Sequence, residues 1–292
     1  MKVVEVAKLP PVERFLYWIR ERHAIYQRRK AGRPKPWTDD EVLQRYFFTN
    51  PYREHDKTTV WFRENVREPL RDDPEVLFAT VCFRWFNYIP TGQVLVANNL
   101  LVDWDLEHAV RCLNTMKSEG MQVFTGAFNI SNSGSTKSKV ERVCQDYIQP
   151  VWSDLSNLLS DAKRWTTLRQ AHQRLKGYLG LGGSGFMAYE AVCDLRYTAL
   201  LEHAKDKLTW SNPGPGAKRG LNRLLGRDLN HTCRDYPDHS LALLATTKAK
   251  LPKLPSLEMR EIEHSLCEFD KYERARLGNG HLKRRYSGAG NS

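Results

Sequence analysis

A chain of 292 residues, 41% hydrophobic and 27% charged, can bury a substantial core as one large or two modest domains, which excludes a small stapled scaffold. Its six cysteines (Cys82, Cys112, Cys144, Cys193, Cys233, Cys267) stand thirty or more residues apart, with no CxxC pair and no zinc-type histidine spacing; they read as reduced thiols, and no metal site is expected. The formal charge of +11 is concentrated in residues 1–36 (ten Lys/Arg against three Asp/Glu) and 271–292 (six against one), interleaved with Trp18, Tyr26, Trp37 and Tyr286, and points to a polyanionic partner, most simply nucleic acid.

The N-terminus MKVVEVAKLPPVERF lacks an apolar run of signal-peptide length and no segment approaches a membrane span, so a cytoplasmic protein with no membrane partner is expected. From Pro11 the spacing of Phe15, Trp18, Ile19, Arg22 and Ile25 predicts an amphipathic helix to about residue 31. GRPKPWT must then be extended, and Thr38 with Glu41 predicts a capping box for a helix through Phe48. Next comes a short polar box, Thr49-Asn50-Pro51-Tyr52-Arg53-Glu54-His55-Asp56-Lys57, between aromatic flanks. It is either a solvated helix cap or a site, and Arg53 could hold a phosphate or carboxylate by its fork.

Asp73-Pro74 is expected to start a central helix, VLFATVCFRWFNYI, apolar nearly all round, and Asp103 with Glu107 to cap another that closes at Gly120. MQVFTGAFNISNSGSTKSK is the least helical stretch. Its Gly134–Ser138 string lacks the glycine that a GxxxxGK[ST] phosphate loop needs, so an ATP-binding loop is rejected. Helical patterning resumes from Lys139 to about Gly177, broken at Pro150. Residues 228–255 look irregular, and 256–276 form a last amphipathic helix with Ile262, Leu266 and Phe269 inward and Glu268 and Lys271 beside that face.

The stretch that organises the chain is Gly177 to Thr198, GYLGLGGSGFMAYEAVCDLRYT. Gly180, Gly182, Gly183, Ser184 and Gly185 form a loop feeding a helix that has no breaker for more than twenty residues after Phe186. Such a junction suits an anion, because helix N-terminal amides are unsatisfied; a plain interhelical turn is the other reading. On that helix Glu190 and Asp194 are spaced i, i+4 and Tyr197 continues the face, which would make an anion cradle and an acid pair neighbours. A second glycine-rich turn, SNPGPGAKRG, brings Lys218 and Arg219 to a short helix as a second phosphate contact. With β-branched alternation almost absent, the expected fold is all-α: one compact helical domain over 1–278, two lobes meeting near 177–185, and a mobile basic tail over 279–292.

RFLYWIRERHAIYQRRKAGRPKPWTDD, the NPYREHD box, FTGAF, GLGGSGFMAYEAVCDLRYT, GPGAKRGLNRL and SLCEFDKY, in that order from about Phe15 to Tyr286, resemble the phage thymine-hypermodification family of alpha-glutamyl/putrescinyl thymine pyrophosphorylases, also described as the helical domain found with hydroxymethyl-uracil DNA kinases. The resemblance implies an all-helical fold distantly similar to helix-hairpin-helix DNA glycosylases. It implies an enzyme that replaces the (pyro)phosphate of phosphorylated hydroxymethyl-uracil in DNA with an amino-acid or polyamine amine, with no cofactor beyond that co-substrate. On it, Gly180 to Gly185 match the hairpin that grips the DNA backbone and Asp194 the glycosylase aspartate, although LGLGGSGFMA carries extra glycine. No kinase half is present, so a separate DNA kinase is an expected partner.

The chemistry asks for a flipped base, cations for the leaving anion and a carboxylate to deprotonate the amine. Asp194 is then the expected base, supported by Glu190. Arg53, Lys218 and Arg219 would hold phosphate, Asn50, Glu54, Asp56 and Tyr197 would shape the pocket, and Glu268 and Lys271 would take the amine. A non-catalytic DNA-binding partner of a kinase and a glycosylase acting on a modified base are the competing expectations.

Overall fold

The computed structural model describes residues 1–126 and 136–279. FTGAF and the Gly134–Ser138 string fall partly outside these residues, and the basic tail with Tyr286 almost wholly so. The described residues are all-helical, and none of their helices is long and apolar enough to cross a membrane.

The chain divides into two compact units: Met1–Asp56 with Lys207 onward, and Lys57–Asp206. The boundaries therefore fall at 56/57 and 206/207, and the Gly177–Gly185 loop belongs to the second unit.

In the first unit the Pro11–Lys30 helix starts, as expected, on a proline, whose missing N–H costs nothing in a first turn. Phe15, Trp18 and Ile19 join Phe48, Leu221, Ile262, Leu266 and Phe269 in one core, with Phe15 edge-on to Phe269 at 5.6 Å between centroids. The helix Glu41–Arg45 is capped by Asp40 rather than by the expected Thr38/Glu41 box: Asp40 Oδ1 accepts from the amides of Val42 (2.9 Å) and Leu43 (3.1 Å). Its other oxygen accepts from the hydroxyls of Tyr17 and Tyr272, so the buried carboxylate is satisfied on both sides.

Two helices of this unit, Pro215–Leu224 and Met259–Arg276, cross closely. A Cβ on Gly220 would lie 2.1 Å from the Leu266 carbonyl oxygen, so only glycine allows this approach. Residues 236–250, expected to be irregular, form the helix Tyr236–Lys250, with Pro237 tolerated in the first turn.

The second unit is built on Val76–Phe86, buried along its whole length, and on Phe186–Leu195, which packs against it. The apolar run expected to be one helix breaks at Asn87, which takes φ +44°, and resumes as Ile89–Ala97. Asp105, not Asp103, caps Leu106–Ser118 by accepting from the His108 amide at 2.7 Å. The helix after the glycine loop stops at Leu195, far short of the expected twenty residues. Single π-turns interrupt the helical path at Arg63–Arg67 and Val143–Ile148.

Candidate functional site

The polar box of the first unit folds on itself. Asn50 uses both its amide and its side-chain Nδ2 on Asp56 Oδ1, each at 3.0 Å, and Nδ2 also reaches the His55 carbonyl at 3.1 Å. These bonds close the box around a single 3₁₀ turn, Arg53–His55, and Tyr52 anchors it by donating to the Pro255 carbonyl at 2.8 Å.

The Met259–Arg276 helix presents Arg260, His264, Glu268 and Lys271 to this box, at the i, i+4, i+8, i+11 spacing of one helix face. Glu268 Oε2 accepts from the Thr49 amide at 3.1 Å, and His264 Nε2 pairs with Thr49 Oγ1 at 2.6 Å. Lys271 Nζ donates to the Phe47 carbonyl at 2.6 Å and lies 3.4 Å from Glu268 Oε2. Arg260 stands 3.8 Å from Glu54 Oε1, and Arg53 3.5 Å from Asp56 Oδ2. Asn50 is 6% exposed, yet its Oδ1 meets no donor. A buried acceptor left this way costs about 1–3 kcal/mol unless a ligand or water supplies the donor.

Burial keeps His264 and His23 neutral. Burial, then the charges of Arg53, Arg260 and Lys271, hold His264 well below its ordinary range. Burial, followed by His55 and Arg22, pushes His23 down to about 4. His23 lies 5.0 Å from the Tyr52 ring, and His55 stacks on Tyr26 at 4.2 Å with a 4° interplanar angle. The site thus holds three carboxylates (Glu54, Asp56, Glu268), three cations (Arg53, Arg260, Lys271), a neutral imidazole and a buried amide oxygen without a hydrogen-bond partner.

Six of the expected residues meet here: Asn50, Arg53, Glu54, Asp56, Glu268 and Lys271. Thr49, Arg260 and His264 were missed, although the four-residue stripe through Arg260, His264 and Glu268 was a readable signal. His23 and His55 belong to the same cluster. Elsewhere in this unit Lys218 is exposed, whereas Arg219 is tied to the buried Asp270 at 3.1 Å, so its expected phosphate role must share the guanidinium with that carboxylate.

The second unit corrects the central expectation. Asp194 is fully buried; Arg84 grips it through Nε and, at 2.8 Å, through Nη2, and Arg67 stands 3.5 Å away. Arg84 also donates to Asn87 Oδ1 at 2.6 Å. A carboxylate enclosed by two buried guanidiniums cannot reach a substrate, so Asp194 is an internal ion-pair anchor rather than a base. Glu190 is also buried, and Tyr197 lies under Arg67 and Arg196, at 4.5 and 3.9 Å from its ring centroid.

The glycines of the loop divide by task. A Cβ at Gly180 would meet the Trp85 and Tyr147 rings at 2.8 Å, and one at Gly185 the His172 ring at 2.6 Å; both glycines adopt positive φ, so they serve packing and turning. A Cβ at Gly182 would come 3.1 Å from the Lys176 carbonyl, while Gly183 and Ser184 are exposed at the tip. Among the described residues no group of three or more His, Cys, Asp or Glu side chains is arranged to hold a metal ion.

Residues 10–281, which include both the polar box and the last helix, match the family model described as 5-hmdU DNA kinase, helical domain. The chain belongs to this family. Over 289 residues it is 25% identical to the 5-hmdU DNA kinase of Bacillus phage SP10, an alignment covering 88% of this chain and 44% of that relative. This member of the helical-domain family therefore spans less than half the length of that phage kinase. No solved structure matches it.

Proposed function

We propose that this helical domain acts in the modification of hydroxymethyluracil in phage DNA, as a transferase that displaces phosphate or pyrophosphate from phosphorylated 5-hydroxymethyluracil with the amine of an amino acid or polyamine. A separate kinase would supply the phosphorylated base. Family membership supports the DNA and the base. The amine reaction rests on the resemblance to the thymine pyrophosphorylases and on one observation: the buried Asn50 acceptor without a donor, in a cluster with Glu268 and Lys271.

In this reading the base leaves the duplex stack, at a cost of a few kcal/mol, to expose its methylene carbon. The incoming ammonium sits against Glu268 and Asn50 Oδ1. Glu268 takes its proton as the nitrogen–carbon bond forms and the carbon–oxygen bond to the (pyro)phosphate breaks. The departing anion keeps the bridging oxygen, and Lys271 with the neighbouring guanidiniums offsets its charge. The exposed Gly183 and Ser184 are offered to the DNA backbone. Asp194 takes no part.

A second reading, a non-catalytic DNA-binding partner of a kinase, is favoured by the enclosure of Asp194. The glycosylase reading loses its base for the same reason. Incubation with DNA carrying phosphorylated hydroxymethyluracil and a mixture of amino acids and putrescine, followed by mass spectrometry of the nucleosides, separates these outcomes. An amine-bearing nucleoside, lost in Glu268→Gln, is expected. Unchanged nucleosides with DNA still bound would establish the binding module, and free base would establish a glycosylase.

A further inference from the structure

The carboxylate of Asp270 is 1% exposed, yet three arginines from two helices converge on it. Arg219 and Arg223, one turn apart on Pro215–Leu224, reach it at 3.1 and 2.8 Å, and Arg274, one turn further along Met259–Arg276, at 3.3 Å. One negative charge therefore faces three positive ones. No other carboxylate among the described residues pairs with any of the three. Lys218, exposed and next to Arg219, adds a further cation without subtracting from this surplus.

The geometry of approach matters as much as the count. All three guanidiniums turn their Nε towards the carboxylate; those of Arg219 and Arg223 hydrogen-bond it, whereas the Arg274 Nε, in ion-pair range, is a buried donor without a hydrogen-bond partner. None of their terminal Nη nitrogens has a hydrogen-bond partner in the described protein, and none is a buried orphan, so these donors are open to solvent. The side chains of Arg219 and Arg274 are 37% and 34% exposed, that of Arg223 12%. A guanidinium fixed at Nε keeps a rigid pair of Nη donors whose spacing matches two oxygens of a phosphate. Asp270 acts as a buried peg that holds two such forks by hydrogen bonds and the third by charge alone, while neutralising one charge.

We propose that Arg219, Arg223 and Arg274, ordered by Asp270, form an anion site for a phosphate group. The group is either a phosphodiester of the DNA strand or the free phosphate or pyrophosphate released in turnover. The phosphodiester source rests on the DNA reading above; the free anion does not.

The test uses the full chain with Arg219→Gln and Arg274→Gln combined, which leaves Arg223 on Asp270 so that the buried carboxylate stays compensated. Unmodified single-stranded DNA is titrated by fluorescence anisotropy across a salt series, and sodium pyrophosphate by calorimetry. Loss of about tenfold in affinity is expected for at least one probe, with the melting temperature held. If the DNA is that probe, its log K against log salt should flatten by about 0.7 for each phosphate contact removed. Loss confined to DNA identifies the phosphodiester, loss confined to pyrophosphate the free anion. Equal affinities of variant and wild type for both probes would overturn the site. Should the double variant fail to fold, the charge-conserving Arg219→Lys, Arg274→Lys pair is judged by the same criterion, since lysine keeps charge but loses the fork. The transferase assay on wild-type protein is independent: amine transfer with unaltered variant binding sinks this site alone, and pyrophosphate binding lost in the variant without any transfer sinks the transferase alone.

Discussion

Asp194 shows how one carboxylate can be legible in position and misread in role. Its i+4 relation to Glu190 is real, but the helix turns that face into the protein, where Arg84 and Arg67 are each 1% exposed. Removing the charge takes the carboxylate away from the buried Arg84 guanidinium and weakens the compensation of Arg67, so Asp194→Asn is expected to lower unfolding free energy by about 3–5 kcal/mol, read as a shifted urea midpoint. An unshifted midpoint with turnover abolished would return Asp194 to the reacting groups. His23 gives a pH signature. Because its native value is depressed from 6.5 to about 4 and its ring is 3% exposed, the unfolded chain binds a proton between those values that the native protein refuses. The stability His23 contributes is whole above pH 6.5 and is lost as pH falls towards 4, by about 3 kcal/mol in total. His264 and His172, also depressed, act in the same direction. His23→Phe should therefore flatten the acid side of the stability profile between pH 6.5 and 4 while leaving neutral stability nearly unchanged. A profile as steep as wild type would contradict the burial argument.

At the scale of elements, periodicity served where a helix has one apolar face and failed where it has none or where a local exception intervenes. Pro11–Lys30 and Met259–Arg276 follow directly from their apolar spacing. Tyr236–Lys250 was hidden by Pro237, a residue that breaks a helix interior but fits a first turn. The break at Asn87 was hidden because asparagine entering the left-handed region leaves the surrounding apolar run intact. The site was half legible for a related reason: side-chain chemistry marks the NPYREHD box, whereas its meeting with Arg260 and His264 is a long-range contact that no local pattern encodes. Glycine is the least legible residue, since left-handed backbone, close packing and an exposed tip all call for the same absence of a side chain. The structure separates these demands and orders their costs. Gly220→Ala must push apart two helices whose backbones already touch, and should cost about 3 kcal/mol. Gly183→Ala meets nothing within 4 Å and is strained only by its φ of +61°, so about 1 kcal/mol is expected. Paired thermal melts check the order; equal losses would mean that the helix crossing yields more easily than its geometry suggests.

For the molecule as a whole, a net charge of +11 says that polyanions are attracted but not where. One answer lies at the end of Pro11–Lys30. Arg28 there is paired with Glu21 at 2.9 Å and also donates to the Trp37 carbonyl. Arg29, Lys30, Arg33 and Lys35 have no carboxylate partner among the described residues. The Trp37 indole orders three of them: its Nε1 donates to the Arg33 carbonyl at 2.7 Å, and Arg29 and Lys35 lie 5.2 and 5.1 Å from the ring centroid. Four exposed, uncompensated cations on a fixed turn suit a phosphate backbone whatever its sequence. Replacing all four by glutamine should weaken binding to any DNA and shrink the salt dependence of log K by up to about 3 units on single strands, at about 0.7 per phosphate contact. The melting temperature and the rate at saturating DNA should hold, because none of the four touches the core or the polar box. A salt slope equal to that of wild type would show that DNA does not use this turn, and the surplus charge would then have to act through other surfaces.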